Sequence, residues 1–396
     1  MTFEVPEHIR PQRDAVHAFM VERVEPAEPV LHRGDEESRA VLVDLQRQAK
    51  DEGLWALGHP SELGGGGLPF ADYVYVNEVQ GRSEFGQLAL GTFTLQDSIM
   101  LHRYAAAEWR ERYLKKLVAA EVSPSFAMTE PEVASSDPTQ LRTAAVLDGD
   151  EWVINGHKWF TTGANRAAYT TVMCRTEPDA PDHAAFSMII VPTDTPGYTI
   201  VRETPVLGIR GGHCEVRYDE VRVPVTNLLG PRGHGFVIAQ ERLGPGRIFH
   251  CMRWLGQAQR AFDLLCNRLN DRHAFGEPLA RKQLMQQHVF ESYAEIQAAR
   301  LLTLAAAAKV DQGEQARVEI GAVKVVGARM LHNVIDRAIQ AHGAMGLTDD
   351  TPLSYMYRAA RFARIYDGPD EVHVQSVARR LLKEYRDGTG WEFGLR

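Results

Sequence analysis

The order of local patterns along the chain restricts its fold more than any single residue does. Over residues 5–121 the apolar side chains recur mostly at three- and four-residue intervals, which predicts helices. Over residues 123–225 short apolar and β-branched runs alternate with Asp148-Gly149 and Asn155-Gly156, which predict tight hairpin turns. Long helical runs return after residue 235.

This α–β–α order predicts a multidomain α+β fold with an N-terminal helical domain, a middle β-barrel or sandwich domain and a C-terminal four-helix bundle. We expect the domains to cover residues 1–122, 123–234 and 235–396. The bundle helices are expected at about 235–269, 283–311, 315–344 and 351–385. The glycine run at 64–67 ends a helical pattern and is expected to form a flexible turn.

The composition argues against several classes of function. The chain of 396 residues carries a formal net charge of -8 and no long block of Lys or Arg, which argues against binding to nucleic acid. Its 15 histidines include no H-E-x-x-H spacing, and G-x-x-x-x-G-K-[ST] does not occur, so neither a metal site nor a phosphate-binding loop is predicted. No apolar run reaches the roughly 18 residues of a membrane span, and the first residues lack the apolar core of a secretory signal. We therefore expect a cytoplasmic protein whose four cysteines are reduced.

Five short segments match, in order, the signatures of one enzyme family. They are F-A-M-T-E-P-E-V-A-S-S-D at 126–137, G-H-K-W-F-T-T-G-A at 156–164, R-H-A-F-G at 272–276, Q-A-H-G-A-M-G at 340–346 and I-Y-D-G-P-D-E at 365–371. Together they resemble the acyl-CoA dehydrogenases, most closely the long- and branched-chain subgroup with T-E-P-x-V-A-S-S-D and an Asp as catalytic base. Two features depart from the commonest family pattern. The T-E-P loop has one extra residue, and Asp replaces the usual Glu.

The resemblance implies FAD-dependent α,β-dehydrogenation of an acyl-CoA thioester to the trans-2-enoyl-CoA, as in fatty acid β-oxidation. Electrons would pass to an external acceptor such as electron-transfer flavoprotein. The resemblance makes Asp367 the base that removes the α-proton. Some members place the base before an arginine of the first bundle helix, but here Gly246 precedes Arg247 and cannot serve. The alternative for Asp367 is a helix cap, because Asp-Gly-Pro-Asp also looks like a helix start.

The resemblance also implies which residues surround the substrate and the cofactor. Beside Asp367, the expected substrate-binding residues are Ser136, Gly244, Arg247, Tyr366 and Gly368. The expected FAD-binding residues are Phe126, Met128, Thr129, Ser135, Ser136, Trp159, Thr161, Arg272, Phe275, Gln340, Gly343, Asp370 and Glu371. Those of the third and fourth segments are implied to complete the FAD site of a neighbouring subunit, which predicts a homodimer or homotetramer.

Less specific interpretations of these residues stay open. Trp159 could be a core residue of a strand, because tryptophans in strands more often lie in the core. Ser135 and Ser136 could be ordinary loop residues, and Arg247 could be a surface arginine. A nucleophilic dyad of His250 and the adjacent Cys251 is not expected, because adjacent residues point to different sides of a helix.

Two other functions also remain open on the same scaffold. The first is a flavin oxidase of the nitroalkane oxidase or acyl-CoA oxidase type, since nitroalkane oxidase looks similar and uses an Asp at the matching place. The second is a non-catalytic flavin protein that binds DNA or another protein.

Overall fold

The helices of the N-terminal part are short, and two of them continue through a turn of π-helix into the next. The computed structural model describes residues 4–388 and residue 390. The helices are α1 (Arg10–Phe19), α2 (Glu25–Leu31), α3 (Glu36–Asp51), α4 (Phe70–Gln80), α5 (Gly86–Ala89), α6 (Leu95–Tyr104), α7 (Ala107–Trp109) and α8 (Lys115–Val118). The helix α3 begins at a capping residue, since the side chain of Asp35 accepts a hydrogen bond from the amide of Ser38 at 2.8 Å.

The glycine run at 64–67 is a packed turn, so the expectation of a flexible turn is wrong. A Cβ on Gly65 would lie 2.3 Å from the Cβ of His59, and one on Gly66 would lie 2.8 Å from the Cα of Leu57. The amide of Gly66 also donates to the carbonyl of Ala56 at 3.0 Å. Glycine is needed here because the chain passes so close to its own backbone.

The middle part of the chain forms a mostly antiparallel sheet. Its strands are β1 (Pro124–Ala127), β2 (Ala144–Asp148), β3 (Glu151–Thr162), β4 (Tyr169–Arg175), β5 (Phe186–Pro192), β6 (Tyr198–Glu203), β7 (His213–Pro224) and β8 (Leu228–Leu229). They run in the order β6-β7-β3-β2-β4-β5-β8, and β1 pairs in parallel with β4. Large side chains on one face, such as Trp152 and Tyr218, are buried in the core of this sheet.

One of the two predicted hairpin turns is correct and the other is wrong. Asp148 pairs with Glu151, and Gly149 has φ +66°, so Asp148-Gly149 forms the turn between β2 and β3. Asn155-Gly156 instead lies inside β3, at a shift of its register against β7. The glycine serves close packing there, because a Cβ on Gly156 would lie 2.3 Å from Oγ1 of Thr143.

The C-terminal part is helical again, with a small hairpin after its first helix. Its elements are α9 (Gly235–Asp271), β9 (His273–Ala274), β10 (Glu277–Pro278), α10 (Gln283–Asp311), α11 (Arg317–His342), α12 (Leu353–Ala363) and α13 (Asp370–Arg386). The single fourth helix expected at 351–385 is wrong, because residues 364–369 break it into α12 and α13. The break contains Asp367 and Gly368 at positive φ, which no α-helix accommodates. Among the helices that the structure describes, none is long and apolar enough to cross a bilayer.

The chain forms two compact units. The first contains the described residues up to Leu54, Leu68–Leu90 and the described residues from Gly244 onward; the second contains Trp55–Gly67 and Gly91–Leu243. The chain order is nevertheless helical, then β, then helical, as expected for the fold class. The expected domain limits after residues 122 and 234 stay a prediction.

A glycine of α9 allows this helix to lie directly against α4 in the first unit. A Cβ on Gly256 would lie 2.0 Å from the carbonyl oxygen of Glu78, which is backbone and cannot rotate away. We expect Gly256→Ala to lower the free energy of unfolding by about 2–3 kcal/mol, in the range of overpacked cores. The matched control is Gly246→Ala on the same helix, where nothing lies within 4 Å; it should change stability by less than about 1 kcal/mol. Denaturant unfolding measures both, and equal stability of the two variants would contradict the close packing.

Candidate functional site

Asp367 lies in the turn between α12 and α13, where the backbone is sharply bent. Its φ is +53° and that of Gly368 is +100°. Asp is found in the left-handed region more often than most residues. A side chain at position 368 would be strained, because φ is +100° and a Cβ there would lie 2.6 Å from Nε2 of His373, which would have to move. The shape of the turn therefore depends on the residue types at both positions.

The capping alternative for Asp367 is wrong. Pro369, rather than Asp367, is the N-cap of α13, and this N-cap makes no side-chain hydrogen bond. The carboxylate of Asp367 instead faces α9, where its Oδ2 lies 3.1 Å from Nε2 of His250. The Asp367 side chain is 25% exposed, so it is mostly buried but still reachable.

His250 is the neighbour of this carboxylate that the sequence did not predict. Its Nδ1 lies 2.8 Å from Nη2 of Arg253, and its ring stacks on that of Trp254 at 5.9 Å between centroids. Burial and the Arg253 guanidinium lower the pKa of His250, so the ring is neutral near pH 7. The spacing of Arg247, His250 and Trp254 was a signal in the sequence, because residues three and four apart lie on the same face of a helix.

The backbone carbonyl of Asp367 is held from two helices. Nε of Arg247, on α9, donates to this oxygen at 3.0 Å. Nε2 of His373, on α13, lies 3.1 Å from the same oxygen. Burial and the Arg247 charge lower the pKa of His373 to about 4, so its ring is neutral near pH 7 and Nε2 carries the proton. Arg247 therefore contacts the main chain of Asp367, and its contact with substrate stays a prediction.

A buried lysine ties the turn to α11. Nζ of Lys324 donates to the carbonyl of Ala363 at 2.6 Å and to that of Gly368 at 3.2 Å. Its ammonium lies 5.4 Å from the ring centroid of Trp254, whose indole N–H donates to the hydroxyl of Tyr366 at 2.9 Å. Burial lowers the pKa of Lys324 and raises that of Tyr366. The sequence signal was a charged residue within the apolar stripe of α11, where an ammonium needs partners.

Cys251 takes no part in this cluster as a nucleophile. Its thiol lies 3.4 Å from the carbonyl oxygen of Val323, and burial raises its pKa to about 12. A nucleophilic thiol requires a lowered pKa. As expected from the sequence, Cys251 and His250 form no nucleophilic dyad.

In the second unit, the T-E-P segment (residues 129–131) is hydrogen-bonded to β3. The hydroxyl of Thr129 donates to the carbonyl of Trp159 at 2.7 Å, and the amide of Trp159 donates to the carbonyl of Thr129 at 3.0 Å. This contact falls where the pairing of β3 with β7 shifts register between Lys158 and Thr161. Phe160, between them, has φ +51°. Trp159 therefore contacts the T-E-P segment at the bulge of β3, where the regular pairing with β7 is interrupted.

The Glu of the T-E-P segment points into the protein. Glu130 is buried against Lys158, which is itself fully buried, with Nζ 2.9 Å from Oε1 of Glu130 and 2.8 Å from the carbonyl of Met128. The amides of Arg142 and Thr143 donate to the same carboxylate at 2.7 and 2.8 Å. Glu130 therefore anchors the backbone that carries Thr129.

The predicted flavin residues of this unit fit a heteroaromatic ring. Phe126, Met128, Thr129 and Trp159 are all half-buried, so each leaves part of its surface accessible. The hydroxyl of Thr161 is buried and has no hydrogen-bond partner among the described residues. An isoalloxazine needs an aromatic surface to lie on and polar groups at its edge, and these residue types supply both.

The serines of the T-E-P loop differ in their contacts. The hydroxyl of Ser135 accepts from the amide of Glu130 at 2.9 Å and lies 3.1 Å from the carbonyl of the same residue. Ser136 is exposed. Ser135 thus closes its own loop, and binding of a phosphate or of CoA by either serine stays a prediction.

The two acidic residues at the start of α13 also differ. Asp370 is buried, and its Oδ2 lies 2.9 Å from Nε of Arg364 and 3.3 Å from Nε of Arg329. Its Oδ1 is buried without a hydrogen-bond partner in the described part of the chain. Glu371 is exposed. Asp370 is therefore part of an ion-pair network, and the role of both residues in FAD binding stays a prediction.

The residues expected to serve a neighbouring subunit's FAD lie on the surface of the first unit. Phe275, at φ +53° in the β9–β10 hairpin, is 96% exposed. Arg272, Gln340 and Gly343 are exposed as well. This accessibility is what a shared cofactor site needs, but the sharing itself stays a prediction. Among residues 4–388 and 390, no group of His, Cys, Asp or Glu is arranged to hold a metal ion.

In comparison with known proteins, three family models match successive parts of the chain. Family models match as "Acyl-CoA dehydrogenase, N-terminal domain" over residues 6–121, "middle domain" over 125–221 and "C-terminal domain" over 233–382. Of solved structures, the chain resembles an acyl-CoA dehydrogenase from Geobacillus kaustophilus, with a TM-score of 0.84 and 27% identity over 95% of this chain and 98% of that one.

The curated relatives include proteins of similar and of greater length. "Probable acyl-CoA dehydrogenase FadE2" of Mycobacterium tuberculosis is 47% identical over 357 residues, which cover 88% of this chain and 87% of the relative. "Acyl-CoA dehydrogenase family member 10" of Mus musculus is 42% identical over 92% of this chain but only 36% of its own length. For "Acyl-CoA dehydrogenase family member 11" of Gallus gallus the identity is 40% and the covered share of the relative 49%. This chain thus spans half or less of the two vertebrate relatives.

Proposed function

The chain belongs to the acyl-CoA dehydrogenase family, and we propose that it oxidises an acyl-CoA thioester to the trans-2-enoyl-CoA with Asp367 as the base. It is an oxidoreductase that uses FAD. The observation that carries the proposal is the mostly buried carboxylate of Asp367, which the sequence resemblance assigns to the position of the catalytic carboxylate.

The chain's own residues have to make a weak carbon acid lose a proton. Exclusion of water from a carboxylate favours uptake of a proton, and the Asp367 side chain is only 25% exposed. Hydrogen bonds to the thioester carbonyl stabilise the enolate that develops, a contribution of order ~3 kcal/mol per donor. The family resemblance assigns one such donor to the backbone amide of Asp367. When bound, FAD would supply the acceptor for the hydride that leaves Cβ.

The backbone contacts of Asp367 support this role. Arg247 and His373 both reach its carbonyl oxygen, and Lys324 holds the carbonyl of Gly368. Three side chains from three helices thus fix a turn whose φ values would otherwise be strained. A base that must meet one carbon atom gains rate from such preorganisation.

We propose Thr129, Met128, Trp159 and Thr161 as the residues that hold the flavin ring, and electron-transfer flavoprotein or a similar protein as the electron acceptor. The Asp at position 367 also suits an oxidase of the nitroalkane type, which is the second candidate. A substrate with a long or branched acyl chain follows only from resemblance to the subgroup.

The test is anaerobic mixing of the purified holoprotein with acyl-CoAs of increasing chain length and branching. We expect a suitable acyl-CoA to bleach the flavin absorbance within the dead time or over seconds, and air to restore the absorbance slowly. Rapid peroxide formation with substrate would instead favour the oxidase. If dithionite reduces the flavin but no acyl-CoA or nitroalkane does, the catalytic assignment fails.

A further inference from the structure

His250 lies between a cation and the proposed base. Its Nδ1 is 2.8 Å from Nη2 of Arg253, and its Nε2 is 3.1 Å from Oδ2 of Asp367. The three groups thus form a chain, from guanidinium through imidazole to carboxylate, in which the guanidinium can only donate hydrogen bonds.

This chain determines which tautomer His250 adopts. A guanidinium has only N–H donors, so Nδ1 of His250 must accept from Arg253. In a neutral ring the single proton then lies on Nε2, from which it can only be donated to Asp367. Burial first, and the Arg253 charge next, lower the pKa of His250 and so favour this neutral form.

We propose that His250 is a positioning residue for Asp367: it donates from Nε2 to Oδ2 and thereby sets the orientation of the carboxylate toward the substrate. This proposal rests on the function proposed above. Asp is one methylene shorter than the Glu that most family members carry at this position, so its carboxylate has less reach. A fixed hydrogen bond to one oxygen defines how the group is turned about its last torsion.

The ring is itself held in place. It lies 5.9 Å from the ring centroid of Trp254 in a stacked arrangement and 5.0 Å from that of Tyr366. The indole N–H of Trp254 donates a hydrogen bond to the hydroxyl of Tyr366 at 2.9 Å. The imidazole therefore has little freedom to turn away from Asp367.

Several titratable groups surround this chain, and Arg253, Asp367 and Lys324 act on the pKa of His250 itself. The surrounding groups are Tyr73 of α4, Arg247, Cys251 and Arg253 of α9, Lys324 of α11, Tyr366 and Asp367 of the turn, and Asp370 and His373 of α13. The cations among them oppose protonation of His250. The hydrogen bond from Nε2 favours the charged form of the carboxylate, so its removal should make the base titrate at higher pH.

Two variants test whether His250 acts through its hydrogen bonds or only through the space that its ring fills. His250→Phe keeps the ring and its stacking but removes both hydrogen bonds, whereas His250→Gln keeps an N–H donor near the position of Nε2. We expect His250→Phe to retain FAD and to change the thioester dissociation constant by less than ~3-fold. Its limiting rate of anaerobic flavin reduction should fall by about 10- to 100-fold, the scale of a misplaced reacting group, and the acidic limb of its pH–rate profile should move to higher pH. In His250→Gln the rate should recover to within about 3-fold of wild type and the pH profile should return with it.

A second readout does not depend on activity. Side-chain ¹⁵N spectra of histidine-labelled holoprotein, with the His250 signal assigned from its loss in His250→Gln, report the tautomer directly. We expect a neutral ring protonated at Nε2 at pH 7. A ring protonated at Nδ1 or at both nitrogens would overturn the proposal, whatever the activity.

The kinetic outcomes distinguish the two proposals from each other. If wild type reduces its flavin with acyl-CoA and Asp367→Asn does not, while His250→Phe keeps the wild-type rate and pH profile, only the role of His250 is wrong. Loss of FAD in His250→Phe without recovery in His250→Gln would also overturn positioning, because it would show a structural role. If wild type itself is not reduced by any acyl-CoA, the proposed function fails, and the tautomer measurement still decides the His250–Asp367 contact.

Discussion

Asp367→Asn should bind FAD and the thioester as the wild type does but lose at least ~10³-fold in the rate of flavin reduction, toward the upper part of the range for a general base. Asn is the appropriate substitution because residue 367 has φ +53°, a region in which Asn is as well tolerated as Asp and Ala is not. The Asn carbonyl can still accept from Nε2 of His250, so the surroundings should keep their arrangement. The loss would then report the missing proton acceptor alone.

The measurement is stopped-flow absorbance of the flavin under anaerobic conditions, with substrate binding measured separately by titration. Asp367→Glu is the matched control, because it restores a carboxylate with one more methylene. It should recover part of the lost rate. Reduction of Asp367→Asn at the wild-type rate would rule out Asp367 as the base, and loss of FAD from this variant would point to a structural role for the turn.

Lys158→Met should lower the free energy of unfolding by about 3–5 kcal/mol, because it leaves the carboxylate of Glu130 buried without its cation. Burial acts to raise the pKa of Glu130, but the Lys158 ammonium and the amides of Arg142 and Thr143 outweigh it and lower this pKa. The charge is therefore retained in the folded protein and needs its partner. Met has a similar length to Lys but offers no hydrogen bond to Glu130 or to the carbonyl of Met128.

The sheet offers a matched control for this prediction. Arg222 and Asp148 form an exposed ion pair at 2.9 Å, and Asp148→Asn should cost less than about 1 kcal/mol. The double variant Glu130→Gln/Lys158→Met should lose less than the sum of the two single variants, because neither charge is then left unpaired. Denaturant unfolding of the wild type, the two single variants, the double variant and Asp148→Asn gives these values. A Lys158→Met protein as stable as Asp148→Asn would contradict the buried pair.

The anchoring of the T-E-P segment adds a consequence for the cofactor. Glu130 and Lys158 hold the backbone on either side of Thr129, whose hydroxyl bonds to Trp159. If these residues hold the flavin ring as proposed, Lys158→Met should also release FAD more readily than Asp148→Asn does.

Much of this protein's fold could be predicted from its sequence. The α–β–α order, the start of the long helices near residues 235 and 283, and the turn at Asp148-Gly149 follow from local periodicity and turn chemistry. The five signature segments identified the family, and the domain models match the same stretches of chain. These features depend on residues that are close together in sequence.

Local patterns misled where distant parts of the chain decide the outcome. Asn155-Gly156 has the composition of a turn, but pairing with β7 and contact with Thr143 keep it within a strand. The glycine run at 64–67 has the composition of a flexible turn, but two of its members are packed against the backbone of residues 57 and 59. The fourth bundle helix looks continuous, but the turn at Asp367 divides it.

By itself the sequence determined the class of fold and the family, and it predicted which carboxylate acts as the base. Only the tertiary structure decided which groups contact Asp367: His250 at Oδ2 of its carboxylate, and Arg247 and His373 at its backbone carbonyl. The reason is physical. Periodicity reports which face of an element is buried, whereas the partner of a polar group is chosen by packing between elements that lie far apart along the chain.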